Sequence, residues 1–155
     1  MALSAHRVGR ILAVASLAWV AGGLTGCQKP LTATDGVVRF DVPAEVNGKP
    51  GPDAIRQPVE LAPKDALIVR LGQHGGTGYV WQLAGPAPAV LTVEGQPTVE
   101  AANTLAGGEQ WTTFTFGAVA QGDGIVRFVL RRPWEAGNEE ARCVDVPVKV
   151  VPKKQ

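Results

Sequence analysis

Apolar and polar residues alternate with a period of two in several separate stretches of this chain. Leu67, Val69 and Leu71 alternate with Ile68 and Arg70, and Thr113-Phe114-Thr115-Phe116 puts both phenylalanines on one face. Val126, Phe128 and Leu130 repeat the pattern, and Val144, Val146, Val148 and Val150 share a face opposite Asp145, Pro147 and Lys149. Alternation of this kind predicts strands with one buried face, because successive side chains leave a pleated strand on opposite sides. Val37–Val42 (with Val38, Phe40 and Val42 on one side), Val59–Leu61 and Tyr79–Leu83 read as further short strands, and Leu91–Glu94 and Val99–Ala101 as weaker ones. Pro147 has no amide proton for a ladder, which predicts that the last strand is an edge or that Pro147 sits at a bulge. The stretch Pro43–Pro58 is rich in proline and glycine and lacks an apolar period, so it reads as a loop or extended connection. Seven to eight short strands with Gly- and Pro-rich turns predict an all-β, immunoglobulin-like β-sandwich. A small β-barrel satisfies the same pattern.

The N-terminal stretch stands apart from this regime. Arg7 and Arg10 precede an uncharged, mostly apolar run, Ile11–Leu24. That run is shorter than the ~20 residues a spanning helix needs, and a basic start followed by a short apolar core reads as a secretory signal. It ends in Leu24-Thr25-Gly26-Cys27, which resembles a bacterial lipobox. The expectation is a lipoprotein signal peptide over 1–26 and a lipidated Cys27; an ordinary signal with an unrelated cysteine is the alternative. Residues 27–58 are then the lipidated N-terminus, a polar tether over Gln28–Asp35 and the Pro/Gly-rich connection. Gln28 does not resemble an inner-membrane retention signal, so the expected location is the cell envelope, on the outer membrane or its periplasmic face.

Composition narrows the chemistry. The 15 basic residues balance the 14 acidic ones, and two of the basic residues lie in the signal, so no basic face for nucleic acid is expected. Ser4 and Ser16 are the only serines and both precede Cys27; His74 is the only histidine after it. A Ser-His-acid triad is therefore unavailable, and a metal site would have one imidazole and no cysteine cluster. Cys143 with His74 is the only nucleophile and base available, and such a pair needs a cleft and an orienting group. Cys143 is expected as a single, partly exposed thiol. The sequence reads as a binder with no enzyme activity, no cofactor and no metal, and as a monomer.

Three inter-strand segments exceed what turns require: Gln73-His74-Gly75-Gly76-Thr77-Gly78-Tyr79 running into Val80-Trp81, Leu105-Ala106-Gly107-Gly108, and Arg132-Pro133-Trp134-Glu135. Together they resemble the chagasin family of cysteine-protease inhibitors, the I42 inhibitors. That family carries Asn-Pro-Thr-Thr-Gly-aromatic with a Trp two residues later, then Gly-x-Gly-Gly, then Arg-Pro-Trp. Here stand Thr77-Gly78-Tyr79 with Trp81, then Gly107-Gly108, then Arg132-Pro133-Trp134, in the same order. The likeness covers roughly Val59 to Val151 and marks 59–151 as the inhibitor domain. Two departures stand out: His74-Gly75-Gly76 replaces Asn-Pro-Thr, and Leu105 replaces the first glycine of the second loop. Glycine in place of proline enlarges a free loop's ensemble, by about 0.4–1 kcal/mol per change, which predicts a looser inhibitor.

The resemblance implies that a papain-like cysteine protease is the partner. Thr77 and Gly78 would enter its V-shaped cleft, flanked by His74, Gly75, Gly76 and Tyr79. Gly107 and Gly108 would lie along one wall, and Arg132, Pro133 and Trp134 would pack on the protease surface. Trp81 reads as core, Trp111 as core or strand edge, and Tyr79 as an internal support of its loop. A non-inhibitory envelope module that binds another protein through the same loops is the competing expectation. The two readings share one geometric requirement, namely that the three segments project from a common tip with the Trp134 ring outside the core.

Overall fold

A computed structural model describes residues 36–102, 106–135 and 142–152. The signal segment 1–26, Cys27, the tether Gln28–Asp35 and Leu105 lie outside the described residues. Among the described residues eleven strands follow in chain order: β1 (Val37–Val42), β2 (Glu45–Val46), β3 (Lys49–Pro50), β4 (Val59–Leu61), β5 (Ala66–His74), β6 (Val80–Leu83), β7 (Leu91–Val93), β8 (Thr98–Ala101), β9 (Glu109–Ala118), β10 (Gly122–Arg131) and β11 (Arg142–Val150). One sheet runs β1-β5-β9-β7, with β8 pairing β9 further along; the other runs β4-β11-β10-β6; β2 and β3 form a separate two-stranded hairpin. The fold is the expected immunoglobulin-like β-sandwich, with nine strands in its two sheets where the alternation pattern predicts seven or eight.

The alternating positions meet between the sheets. Leu67, Val69 and Leu71 from β5, Phe114 and Phe116 from β9, Val126 and Phe128 from β10, and Val144, Val146, Val148 and Val150 from β11 are all buried. Phe128 crosses the gap to touch both phenylalanines of the opposite sheet, with ring centroids 4.9 Å from Phe114 and 6.1 Å from Phe116. Such tilted aromatic pairs add to the area that each ring buries. This core lies in the body of the sandwich and leaves both poles to loops.

Strand direction fixes which loops share a pole. β1 pairs β5 in parallel, from Val37 against Ala66 to Val42 against Leu71. β5 then ends at His74, opposite Glu109 at the start of β9. In the other sheet β10 ends at Arg131, opposite Val80 at the start of β6, and Leu130 faces Arg142 at the start of β11. The ends of β1, β5 and β10 and the starts of β6, β9 and β11 therefore lie at one pole.

Two sequence expectations need correction. β11 is an inner strand, between β4 and β10, and not an edge. Pro147 is tolerated because its side of the strand is a gap between partners: Asp145 N–H donates to Asp53 O (3.1 Å), while β4 joins only from Val148 onward. The segment Pro43–Pro58 is not irregular throughout. It carries the β2–β3 hairpin, with Glu45 opposite Pro50 and Val46 opposite Lys49, turning through Asn47 and Gly48, whose φ values are 53° and 70°. Positive φ at both central residues is the requirement of a type I′ hairpin turn, which Asn-Gly meets. Two-residue strands are too short to register as alternation.

Across the outer face of the second sheet, Arg127 Nε and Nη2 donate to the two carboxylate oxygens of Asp145, each at 2.7 Å. The hydrogen bonds from Arg127, with its charge, hold the Asp145 carboxyl below its ordinary value of 3.8. A lowered carboxyl pKa stabilises the fold above the unfolded-state value and loses that contribution as pH falls through the folded one. Asp145→Asn should therefore cost about 0.2–1 kcal/mol at pH 7, the range of solvent-screened pairs. Urea unfolding at a series of pH values should show this difference closing below about pH 4, on the linkage argument; a difference that persists into acid would assign the loss to something other than the ion pair.

Candidate functional site

Loop 1 (residues 75–79) leaves β5 in one sheet and enters β6 in the other, so it spans the sandwich at the pole just defined. Its C-terminal root is fixed by Trp81, which is buried in the core with Nε1 donating to Gly72 O at 3.1 Å. Thr77 closes the loop on itself, its hydroxyl donating to His74 O at 2.9 Å. Gly76 and Thr77 are exposed.

Loop 2, between β8 and β9, packs directly on loop 1. Gly75 N–H donates to Gly108 O at 2.8 Å. A Cβ on residue 75 would lie 2.9 Å from that same oxygen and 3.0 Å from Gln110 Nε2. Glycine is thus demanded here by close approach. A proline would also remove the N–H that joins the loops, so the replacement of proline at 75 fastens loop 1 where the sequence alone suggested loosening. Gly107 is exposed and Gly108 half-buried.

Loop 3 joins loop 1 from the second sheet. Arg132 Nε donates to Thr77 O (3.0 Å), Nη1 donates to Glu135 Oε1 (2.7 Å), and the guanidinium lies 4.5 Å from the centre of the Tyr79 ring. The hydrogen bond with Glu135 raises the already high Arg132 pKa, so the strut stays charged at every physiological pH. Trp134 is 68% exposed, yet its ring edge covers Gly78: a Cβ there would sit 2.5 Å from Cη2 and 2.6 Å from Cζ2. Gly78 also has φ +78°, which a side chain disfavours. Pro133 and Glu135 are exposed beside it.

The structure therefore brings His74, Gly75, Gly76, Thr77, Gly78, Tyr79, Gly107, Gly108, Arg132, Pro133 and Trp134 to one pole. Arg132 is engaged with the Tyr79 ring and with the loop backbone, while Thr77 and Trp134 present open surface. Trp111 lies half-buried at the start of β9 under the Arg70 guanidinium, 4.9 Å from its ring. Cys143 is half-buried on β11, opposite Val129, whereas His74 ends β5 in the other sheet with Nε2 donating to Glu45 Oε1 at 3.1 Å.

Sequence reasoning missed what fastens this pole from below. Arg142, at the start of β11, donates from Nη1 to Pro43 O (3.4 Å) and Ala44 O (3.2 Å) and from Nη2 to Pro52 O (3.3 Å). Its Nε faces Asp53 Oδ1 at 3.3 Å, and its guanidinium lies 5.6 Å from the Trp81 ring centre. No local pattern announces which carbonyls an arginine beside a strand will meet.

The Gly78 contact yields a direct test. Gly78→Ala should lower stability by about 1–2 kcal/mol, the cost of the left-handed region for a residue with a Cβ. It should also displace the Trp134 indole, read as a shift of one of the indole N–H resonances in a nitrogen-correlated NMR spectrum. An unmoved set of indole signals would mean that the ring does not rest on Gly78.

With this geometry in hand, comparison with known proteins is informative. The family model "Chagasin family peptidase inhibitor I42" matches residues 60–148, more than half of the chain. Among solved structures, the cysteine protease inhibitor EhICP2 from Entamoeba histolytica is 18% identical, with a TM-score of 0.56 over 79% of this chain and 100% of that one. PbICP-C, solved in complex with falcipain-2, is 16% identical, with a TM-score of 0.46 over 79% of this chain and 99% of that one. The first of these likenesses agrees with the sandwich in fold. The family is one of inhibitors, not of enzymes. On the strength of the matched span, the chain belongs to the chagasin family of peptidase inhibitors, the I42 inhibitors.

Proposed function

We propose that the domain is a reversible inhibitor of papain-like cysteine proteases, with loop 1 filling the active-site cleft and loops 2 and 3 bracing its walls. The observation that carries this reading is the exposed Trp134 ring seated on Gly78 at a pole where all three loops are joined. A stiff aromatic with few rotors, already held in place, is a typical binding anchor. Thr77 and Gly78 enter the cleft as backbone, Gly107 and Gly108 line one wall by main-chain contact, and Pro133 and Trp134 rest on the other. Arg132 and Tyr79 are positioning residues, since their polar and ring contacts are spent inside the pole. Loop 1 occludes the catalytic cysteine without offering it an aligned scissile carbonyl, so no covalent step and no cofactor is involved.

We propose in addition that Cys27 carries the lipid that holds this inhibitor on the cell envelope. Gly36 O accepts the Ala66 N–H (2.7 Å) at the pole opposite the three loops. A tether over Gln28–Asp35, reaching at most roughly 30 Å when extended, would join that far pole to the membrane and leave the loops pointing away from it.

Two measurements test these readings. A soluble form lacking the first 27 residues should inhibit papain at micromolar concentration or below in a fluorogenic assay, and Trp134→Ala should weaken it at least tenfold, about 1.4 kcal/mol, with an unchanged melting temperature. No inhibition by the parent retires the inhibitor reading, and a large fall in melting temperature would move Trp134 into a structural role. Separately, Cys27→Ala in the full chain should abolish incorporation of labelled palmitate and release the protein from the membrane fraction; incorporation that survives the change would sink the anchor.

A further inference from the structure

The β2–β3 hairpin lies at the same pole as the three loops and outside the span of the family match, which begins at residue 60. Its position follows from the parallel register of β1 and β5, which ends with Val42 against Leu71, three residues before β5 gives way to loop 1 at His74. In the sheet order β1-β5-β9 the hairpin stands on the side of loop 1 opposite loop 2.

It is fastened there by contacts with β5, β9 and β11. Gly72 leaves no room for a side chain, since a Cβ would lie 2.5 Å from Ala44 N. Ala44 N–H donates to Glu109 Oε1 (3.4 Å) at the root of loop 2, and Gly51 N–H donates to Ala44 O (3.0 Å) to close the hairpin base. Arg142 gathers the carbonyls of Pro43, Ala44 and Pro52. Glu45 reaches His74, the first residue of the loop 1 motif, at 3.1 Å. Beyond this base the tip is solvent-exposed from Val46 to Pro50, and Val46 is 47% exposed although β-branched and apolar. A two-residue turn with both central residues at positive φ, Asn47-Gly48, closes that tip.

We infer that the hairpin is a fourth contact element of the inhibitor, whose tip, Val46 and Lys49 above all, touches the rim of the protease cleft beside loop 1. The inference rests on the inhibitor reading and extends its surface continuously, from Thr77 through His74 and Glu45 to the tip. Val46 supplies the apolar contact and Lys49 the rim charge, of the kind that tunes association rate and partner choice.

The full chain, its double variant Val46→Asp/Lys49→Glu and Trp134→Ala are titrated against papain. The double variant should raise the inhibition constant roughly five- to tenfold, a change of up to about 1.4 kcal/mol, at unchanged melting temperature. In the parent's papain complex, amide hydrogen exchange should slow at Val46 and Lys49. An inhibition constant within twofold of the parent, or exchange rates at the tip unaltered by papain, overturns the hairpin contact while leaving the three-loop reading intact if Trp134→Ala still weakens binding. A parent that does not inhibit papain overturns both.

Discussion

Four chain segments meet at one end of this sandwich so closely that Gly72, Gly75 and Gly78 have no room for a side chain, and that approach is the constraint from which the rest of the pole follows. Gly75 gives its N–H to Gly108 O at 2.8 Å, and the space for a side chain at 75 is already taken. Trp134 occupies the space a Cβ on Gly78 would need, and Ala44 N the space of one on Gly72. These glycines are contact points between neighbouring segments, which approach because no side chain stands between them. Strand register makes such contacts available, because β5 and β9 end together at His74 and Glu109, and β6 and β10 at Val80 and Arg131.

A pole built this way separates affinity from stability. The hydrophobic term resides in the ladder of Phe114, Phe116 and Phe128 and the valines of β11, all buried between the sheets. Thr77, Pro133 and Trp134 contribute little burial and can be spent on a partner. Ordering cost, which otherwise subtracts from binding, is met in advance by the loop-to-loop hydrogen bonds and by Arg132, whose three attachments join Thr77, Glu135 and Tyr79. An arginine so occupied holds loop 3 to loop 1, an internal attachment that the Arg-Pro-Trp motif does not announce when read as sequence.

The sandwich was legible because period-two alternation is a direct print of one-sided burial: Val144, Val146, Val148 and Val150 were assigned to the core and all are buried. Loop residues were legible only as motifs in order, and their convergence required the registers. What the pattern concealed had three physical causes. Pro147 argues for an edge only if its outward side has a continuous partner, and here that side is a gap. The hairpin at Glu45–Pro50 is too short for periodicity, and Asn47-Gly48 was its sole local signal. Glycine at 75 looked like lost rigidity because its gain, a hydrogen bond to residue 108, is a tertiary contact.

The location of that hairpin is a consequence of topology. β1 and β5 are parallel, so the chain cannot pass between them by a tight turn and needs a crossover. It makes the crossover through β4 in the opposite sheet, where β4 runs parallel to β11, from Val59 at Val148 to Leu61 at Val150, away from the loop pole. The connection from Val42 to Val59 must therefore leave from the loop pole and descend along the side of the sandwich. Ala54 pairs with Asp145 on that descent, and Arg142 draws in the turn above it. Part of the length in this connection is taken up at its upper end, beside His74, as the β2–β3 hairpin. The parallel pairing of β1 thus supplies a place next to the three loops where a chain outside the family's matched span can add surface without disturbing the core.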